Sequence, residues 1–176
     1  MKKMIAMAWM ILYGFLFAAA QPGQAEAKPQ IAFQTLNAGE MTFRSAVVGK
    51  NLRVEIFAPT AGWIAVGFDP EFMMKGANFL IGYAVGDQVV IEDQFGVSSF
   101  HHQRDVELGG KDHIMEKSAS TLANGTEIRF TIPLDSGDPY DKKLEVGKTY
   151  KIILAYGTTT DLGKKHRKKY AAELKL

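Results

Sequence analysis

Apolar and polar positions alternate with a period of two through much of the chain. Leu52, Val54 and Ile56 alternate with Arg53, Glu55 and Phe57, the pattern of a half-buried strand. The run from Trp63 to Phe68 is apolar at every position but Gly67, as a central strand would be, and Phe79 to Val85 is a second such run. Gly86-Asp87 then turns the chain into Val89-Val90-Ile91, a hairpin signal. Ile128, Phe130 and Ile132 alternate with Arg129 and Thr131, and Tyr150, Ile152 and Leu154 alternate with Lys151, Ile153 and Ala155. Thr42 to Val48 predicts a strand near the start, and Ala172, Leu174 and Leu176 predict one at the end. No long window carries apolar residues at helical spacing. Only Glu71 to Lys75, after Asp69-Pro70, predicts a short helical turn. Short strands punctuated by glycine and turn residues predict an all-β sandwich or barrel. With no repeat and no linker, residues 28–176 read as one domain.

The N-terminus departs from this pattern. Lys2 and Lys3 precede an uncharged apolar run from Met4 to Ala20, and Ala25-Glu26-Ala27 supplies the small residues a signal peptidase requires. The expectation is a signal peptide over residues 1–27, with Ala20 as the alternative cut. An uncleaved anchor competes with it, since the run is just long enough to cross a bilayer. Cleavage implies export, to a periplasm or the extracellular space, with no membrane span left in the mature chain. It leaves 149 residues and lowers the net charge from +2 to +1. That near-neutral balance gives no argument for nucleic acid as a partner. The chain has no cysteine, which excludes thiolate metal sites, iron–sulfur clusters and covalently attached haem.

Three groups of residues invite chemistry. Met73 and Met74 are adjacent in a short segment between two core strands; they read either as gap-filling thioethers or as soft ligands for an iron. His166 lies among Lys164, Lys165, Arg167, Lys168 and Lys169, either a solvated basic loop or a ligand beside a basic patch. The polar stretch from Ser98 to Lys117 holds His101, His102, His113, Asp105 and Asp112, which offer zinc or copper ligands but at no recognisable metal spacing. Asp135, Asp138 and Asp141 lack the spacing of a calcium loop and predict a turn whose side chains bond their own backbone. No nucleophile motif or phosphate-binding glycine motif occurs, which argues against an enzyme.

Four segments in order resemble the DOMON domain family, in particular its bacterial haem-binding, cytochrome-like members. They are Gly62 to Phe68, Met74-Lys75-Gly76-Ala77 with Phe79 to Tyr83, Phe130 to Asp138 with Asp141, and Ile153 to Gly157 with His166 after it. The resemblance covers about Ile31 to Leu176. It implies an immunoglobulin-like β-sandwich holding a noncovalent haem b at one end, with Met74 and His166 as axial ligands. Met73 is the rival sulfur, Lys75 a further possibility and His102 the fallback imidazole. Phe72, Tyr83, Trp63 and Phe68 are candidate walls of the haem site, although Trp63 reads more simply as core, and Lys165 is a candidate partner for the haem propionates. The implied role is one-electron transfer to a redox partner protein. The alternative is a haem-free module that binds a sugar or another small ligand. The first expectation is checked by intact mass: protein recovered from the exported fraction should begin at Lys28, and a mass including residues 1–27 would mean a retained anchor.

Overall fold

The computed structural model describes residues 31–176; the expected signal peptide and its cleavage site lie outside the described residues. Eleven strands and one short helix follow in the order β1 (Gln34–Ala38), β2 (Met41–Val48), β3 (Asn51–Ala58), β4 (Ile64–Phe68), β5 (Asn78–Val85), β6 (Gln88–Phe95), β7 (Gln103–Arg104), α1 (Asp105–Leu108), β8 (Met115–Leu122), β9 (Gly125–Pro133), β10 (Thr149–Tyr156) and β11 (Lys168–Lys175). All pairings are antiparallel. One sheet runs β1-β2-β3-β9-β8 and the other β11-β10-β4-β5-β6-β7. This is the immunoglobulin-like β-sandwich expected from the sequence.

The inward face of each strand is set by alternation. Leu52, Val54 and Ile56 of β3 and Ile128, Phe130 and Ile132 of β9 meet Ile64, Val66 and Phe68 of β4 and Ile152 and Leu154 of β10 in one buried core. Phe43 and Phe68 join the two sheets edge to face at 6.4 Å between ring centroids, worth about 0.5–1.5 kcal/mol beyond the area they bury. Phe68 is therefore an interior residue. On the reverse side of the six-stranded sheet, Trp63, Ala65 and Ile81 form a second buried cluster, with Tyr83, Ala155 and Leu162 against it. The central strands are thus apolar on both faces, although only one face meets the other sheet.

Three features depart from the sequence expectations. Strands β1 and β8 escape the alternation rule because they are edge strands with mostly exposed side chains. The expected helical turn from Glu71 to Lys75 is instead a tight turn closed by Lys75 N–H to Phe72 O at 3.0 Å, with Met73 at a left-handed φ of 55°. The helix that does form, α1, lies within the polar stretch. Gly86, at φ 56°, and Asp87 make the expected two-residue hairpin between β5 and β6.

The crossing from one sheet to the other is held by Thr60. Its hydroxyl donates to Gly157 O at 2.6 Å and accepts from Gly62 N–H at 3.0 Å, and its carbonyl accepts from Thr126 Oγ1 at 2.7 Å. Thr60→Val keeps the shape but leaves a buried carbonyl and a buried N–H without a partner. It should cost about 2 kcal/mol in chemical denaturation, against about zero for the exposed Thr35→Val.

Candidate functional site

The reverse face of the six-stranded sheet carries a cavity of about 770 Å³, within the range of small-molecule and cofactor sites. Its floor is apolar: Trp63 precedes β4, Ala65 lies on β4, Phe79 and Ile81 on β5, Ile153 and Ala155 on β10, and Ala171 on β11. Gly67 keeps this floor flat. A Cβ there would stand 2.6 Å from the Phe79 ring and 2.9 Å from Ile153 Cγ1.

Loops from opposite ends of the strands wall the cavity. β4 pairs with β10 so that Phe68 faces Ile152 and Ile64 faces Tyr156. The β4–β5 connection therefore leaves from one end of the sheet, and the β10–β11 connection from the other. The first brings Met73 and Met74 to the cavity, and the second brings Gly163, Lys164, Lys165 and His166. The β6–β7 connection adds Ser99, Phe100 and His102 beside the methionines. These sequence candidates, distant in the chain, line one space.

The methionine loop is seated by backbone contact. Gly76 N–H donates to Gly96 O at 2.7 Å, Gly96 N–H donates to Ala77 O at 2.9 Å, and Ala77 N–H donates to Met74 O at 3.2 Å. A Cβ on residue 96 would lie 1.8 Å from Met74 O, so only glycine permits this approach. Met74 is half-buried, whereas Met73 is 41 % exposed.

Both cavity histidines are kept neutral at pH 7. Burial, then the charges of Lys169 and Lys165, lower the pKa of half-buried His166. Burial, then His101, lowers that of His102, whose Nδ1 bonds Gln94 Oε1 and whose ring lies 5.5 Å from that of Phe79. A neutral imidazole is the form that ligates a metal. The Trp63 indole N–H is buried against Gly157 and finds no acceptor in the protein. Lys164, Lys165 and Lys169 make one bank basic.

Several candidates fall elsewhere. Phe72 is 65 % exposed and does not line the cavity, and Phe68 faces the interior. Tyr83 packs beside the Trp63 cluster without lining the cavity. Lys75 is exposed and 3.7 Å from Glu71. Trp63 is both buried and part of the cavity floor. The cavity spreads over the face of a sheet, not at an end of the sandwich. Phe100, 79 % exposed at the mouth, was not singled out by sequence, because nothing local marks a lone loop aromatic.

The histidines and aspartates of the polar stretch do not converge. His101 and Asp112 are exposed, and His102 joins the cavity. His113 turns to the opposite face of β5 and β6, where it meets Asp93 and Asp141, and Asp105 lies near enough for its charge to act on Asp93. Burial, compounded by the charge of Asp141, pushes Asp93 up to about 8 and Asp105 to about 7. Asp135 and Asp138 do accept from the N–H groups of Gly137 and Tyr140, as expected of a turn, but Asp141 turns inward.

Two domains of known structure share this fold. The cytochrome domain of Myriococcum thermophilum cellobiose dehydrogenase aligns with a TM-score of 0.60 at 10 % identity, over 82 % of this chain and 81 % of that one. The cytochrome b domain of pyranose dehydrogenase from Coprinopsis cinerea aligns with a TM-score of 0.52 at 13 % identity, over 81 % and 80 %. A protein from Bacteroides uniformis described as carbohydrate-binding aligns at 0.37 and 14 % identity, over 81 % and 77 %. No curated protein matches in sequence. The family model for the DOMON domain matches residues 37–157, from β1 through the end of β10, and the chain belongs to the DOMON domain family.

Proposed function

We propose that this domain holds one haem b noncovalently in the sheet-face cavity, with Met74 and His166 as axial ligands, and carries electrons outside the cytoplasm. The observation that carries this is the meeting of a half-buried thioether and a neutral imidazole, from opposite ends of the sheet, on one apolar cavity. When bound, the haem supplies one-electron redox chemistry, and Met/His ligation sets its potential high.

The protein's own groups suit that cofactor. Trp63, Ala65, Ile81 and Ala155 offer a flat apolar bed that excludes water, whereas a sugar would require several polar partners there. Lys165, with Lys164 and Lys169, offers cations to the propionates, and the indole N–H of Trp63 offers a donor. The same basic bank favours an acidic redox partner. With Met74 and His166 both holding the iron, no coordination site would be left for substrate, which suits a carrier rather than a catalyst. The neighbours of known structure include cytochrome domains of two sugar dehydrogenases.

Protein produced with ample haem should show a sharp low-spin α-band in a reduced-minus-oxidised spectrum. Met74→Ala and His166→Ala should each abolish that band and weaken haem retention by on the order of tenfold or more; Met73→Ala should leave it intact. The reverse result for the two methionines would move the ligand by one position. Absence of haem uptake, together with saturable sugar binding in calorimetry, would replace this function with the haem-free one. Gly96→Val tests how the loop is seated: it should reduce haem retention through displacement of Met74 while the apo-domain remains folded by circular dichroism.

A further inference from the structure

The side of β5 and β6 away from the cavity carries a second feature, independent of haem. Leu80 pairs with Asp93, so the Asp93 side chain shares the interior face with Leu80 and Asn78. Gln94, one residue on, pairs with Phe79 on the cavity face. Asp141, in the connection from β9 to β10, reaches the same place, and Asp105, at the start of α1, lies near enough for its charge to act on Asp93. Asp141 Oδ1 accepts from Asn78 Nδ2 at 2.6 Å, and its charge acts on Asp93 and Asp105 alike.

What marks this cluster is the state of its buried oxygens. Asn78, Asp93 and Asp105 are 3 %, 4 % and 0 % exposed. Yet Asn78 Oδ1, Asp93 Oδ1, both oxygens of Asp105 and Asp141 Oδ2 have no hydrogen-bond donor. Buried polar atoms are normally satisfied, and an isolated orphan costs about 1–3 kcal/mol. Five in one cluster require a common partner. Among the described residues, no lysine or arginine pairs with any of the three carboxylates. Their neighbours are otherwise spent: Asp138 accepts from the N–H groups of Lys111 and Tyr140, and Asp112 accepts from that of Ile114. His113 donates its backbone N–H to Asp93 Oδ2 at 3.1 Å. Its Nδ1 stands 2.9 Å from Asp141 Oδ2 but without hydrogen-bond geometry, and both atoms count among the orphans. Ligand atoms of Asp93, His113 and Asp141 all fall within 4.8 Å of one another.

We propose that Asp93 and Asp141, with Asn78 beside them, form a binding site for one calcium ion, with His113 at its margin and Asp105 in the acidic shell around it. Carboxylates and an amide oxygen are the hard donors calcium takes in numbers of six to eight, with backbone carbonyls or water completing the shell. Zinc sites draw chiefly on imidazole and thiolate, and only one imidazole is present. The ion joins the start of β5, β6 and the β9–β10 connection. It supplies a positive charge beside carboxyls whose ionised forms burial disfavours.

Thermal melting of the whole exported domain, stripped with chelator and then supplied with calcium chloride, tests this. Calcium at about a hundred times its dissociation constant should raise the midpoint by about 5–10 °C, and calorimetry should give one site per chain. Asp93→Asn retains the shape and removes a carboxylate from the site. The stripped variant should melt no lower than stripped wild type, and calcium should no longer raise its midpoint. Asp141→Asn should likewise lose the calcium response. Asp135→Asn, exposed and paired with Lys143, should keep the full response. Identical melting of wild type with and without calcium would overturn the site, as would a full calcium response in Asp93→Asn. Stabilisation by zinc or manganese but not by calcium would overturn the assignment of the ion.

Discussion

The fold is governed by a mismatch between what its central strands bury and what the second sheet can cover. All five residues of β4 are buried, as are the first five of β5, but the five-stranded sheet packs on only one side of them. Apolar surface left open to water costs about 25 cal/mol per Å². The other side must therefore be covered by the domain's own loops, by a ligand or by both. The loops that fold back over it do so incompletely, and what they leave is the cavity. Structural demand and functional opportunity are here the same feature.

Covering a sheet face from two ends requires the backbone to pass close to itself. Gly96 lets the methionine turn rest against the end of β6, and Gly62 and Gly157 let the start of β4 lie against the end of β10. A Cβ on residue 62 would stand 2.6 Å from Gly157 O, and one on residue 157 would stand 2.3 Å from the Trp63 indole nitrogen. These glycines serve less for left-handed dihedrals than for clearance. The Thr60 hydroxyl then satisfies the polar backbone atoms that such close passage buries.

Strands β5 and β6 separate two chemistries by the pleat alone. Phe79, Ile81 and Gln94 look to the cavity, and Asn78, Leu80 and Asp93 look to the interior. Soft and neutral donors gather on one side, hard and charged donors on the other. Met74 and Asn78 are four residues apart, so one short connection feeds both, and whatever steadies the start of β5 also steadies the methionine loop. The two sites are chemically insulated, since a thioether has no preference for calcium and a carboxylate cluster has none for haem.

Much of this was legible from local pattern. Alternation disclosed β3, β9 and β10, unbroken apolar runs disclosed β4 and β5, and Gly86-Asp87 disclosed the hairpin from β5 to β6, because the pleat repeats every two residues and burial follows it. Adjacent methionines and a histidine in a basic segment were visible as candidates on chemical type. Three things required the tertiary structure. Edge strands β1 and β8 have little buried face, so they write no alternation. Phe68 and Phe72 are equally aromatic in sequence, but pleat and turn geometry send one to the interior and the other to solvent. Convergence is a property of the fold alone: Met74 and His166 reach one cavity, and Asp93, His113 and Asp141 another cluster, because antiparallel pairing brings distant segments together. No spacing along the chain encodes those distances.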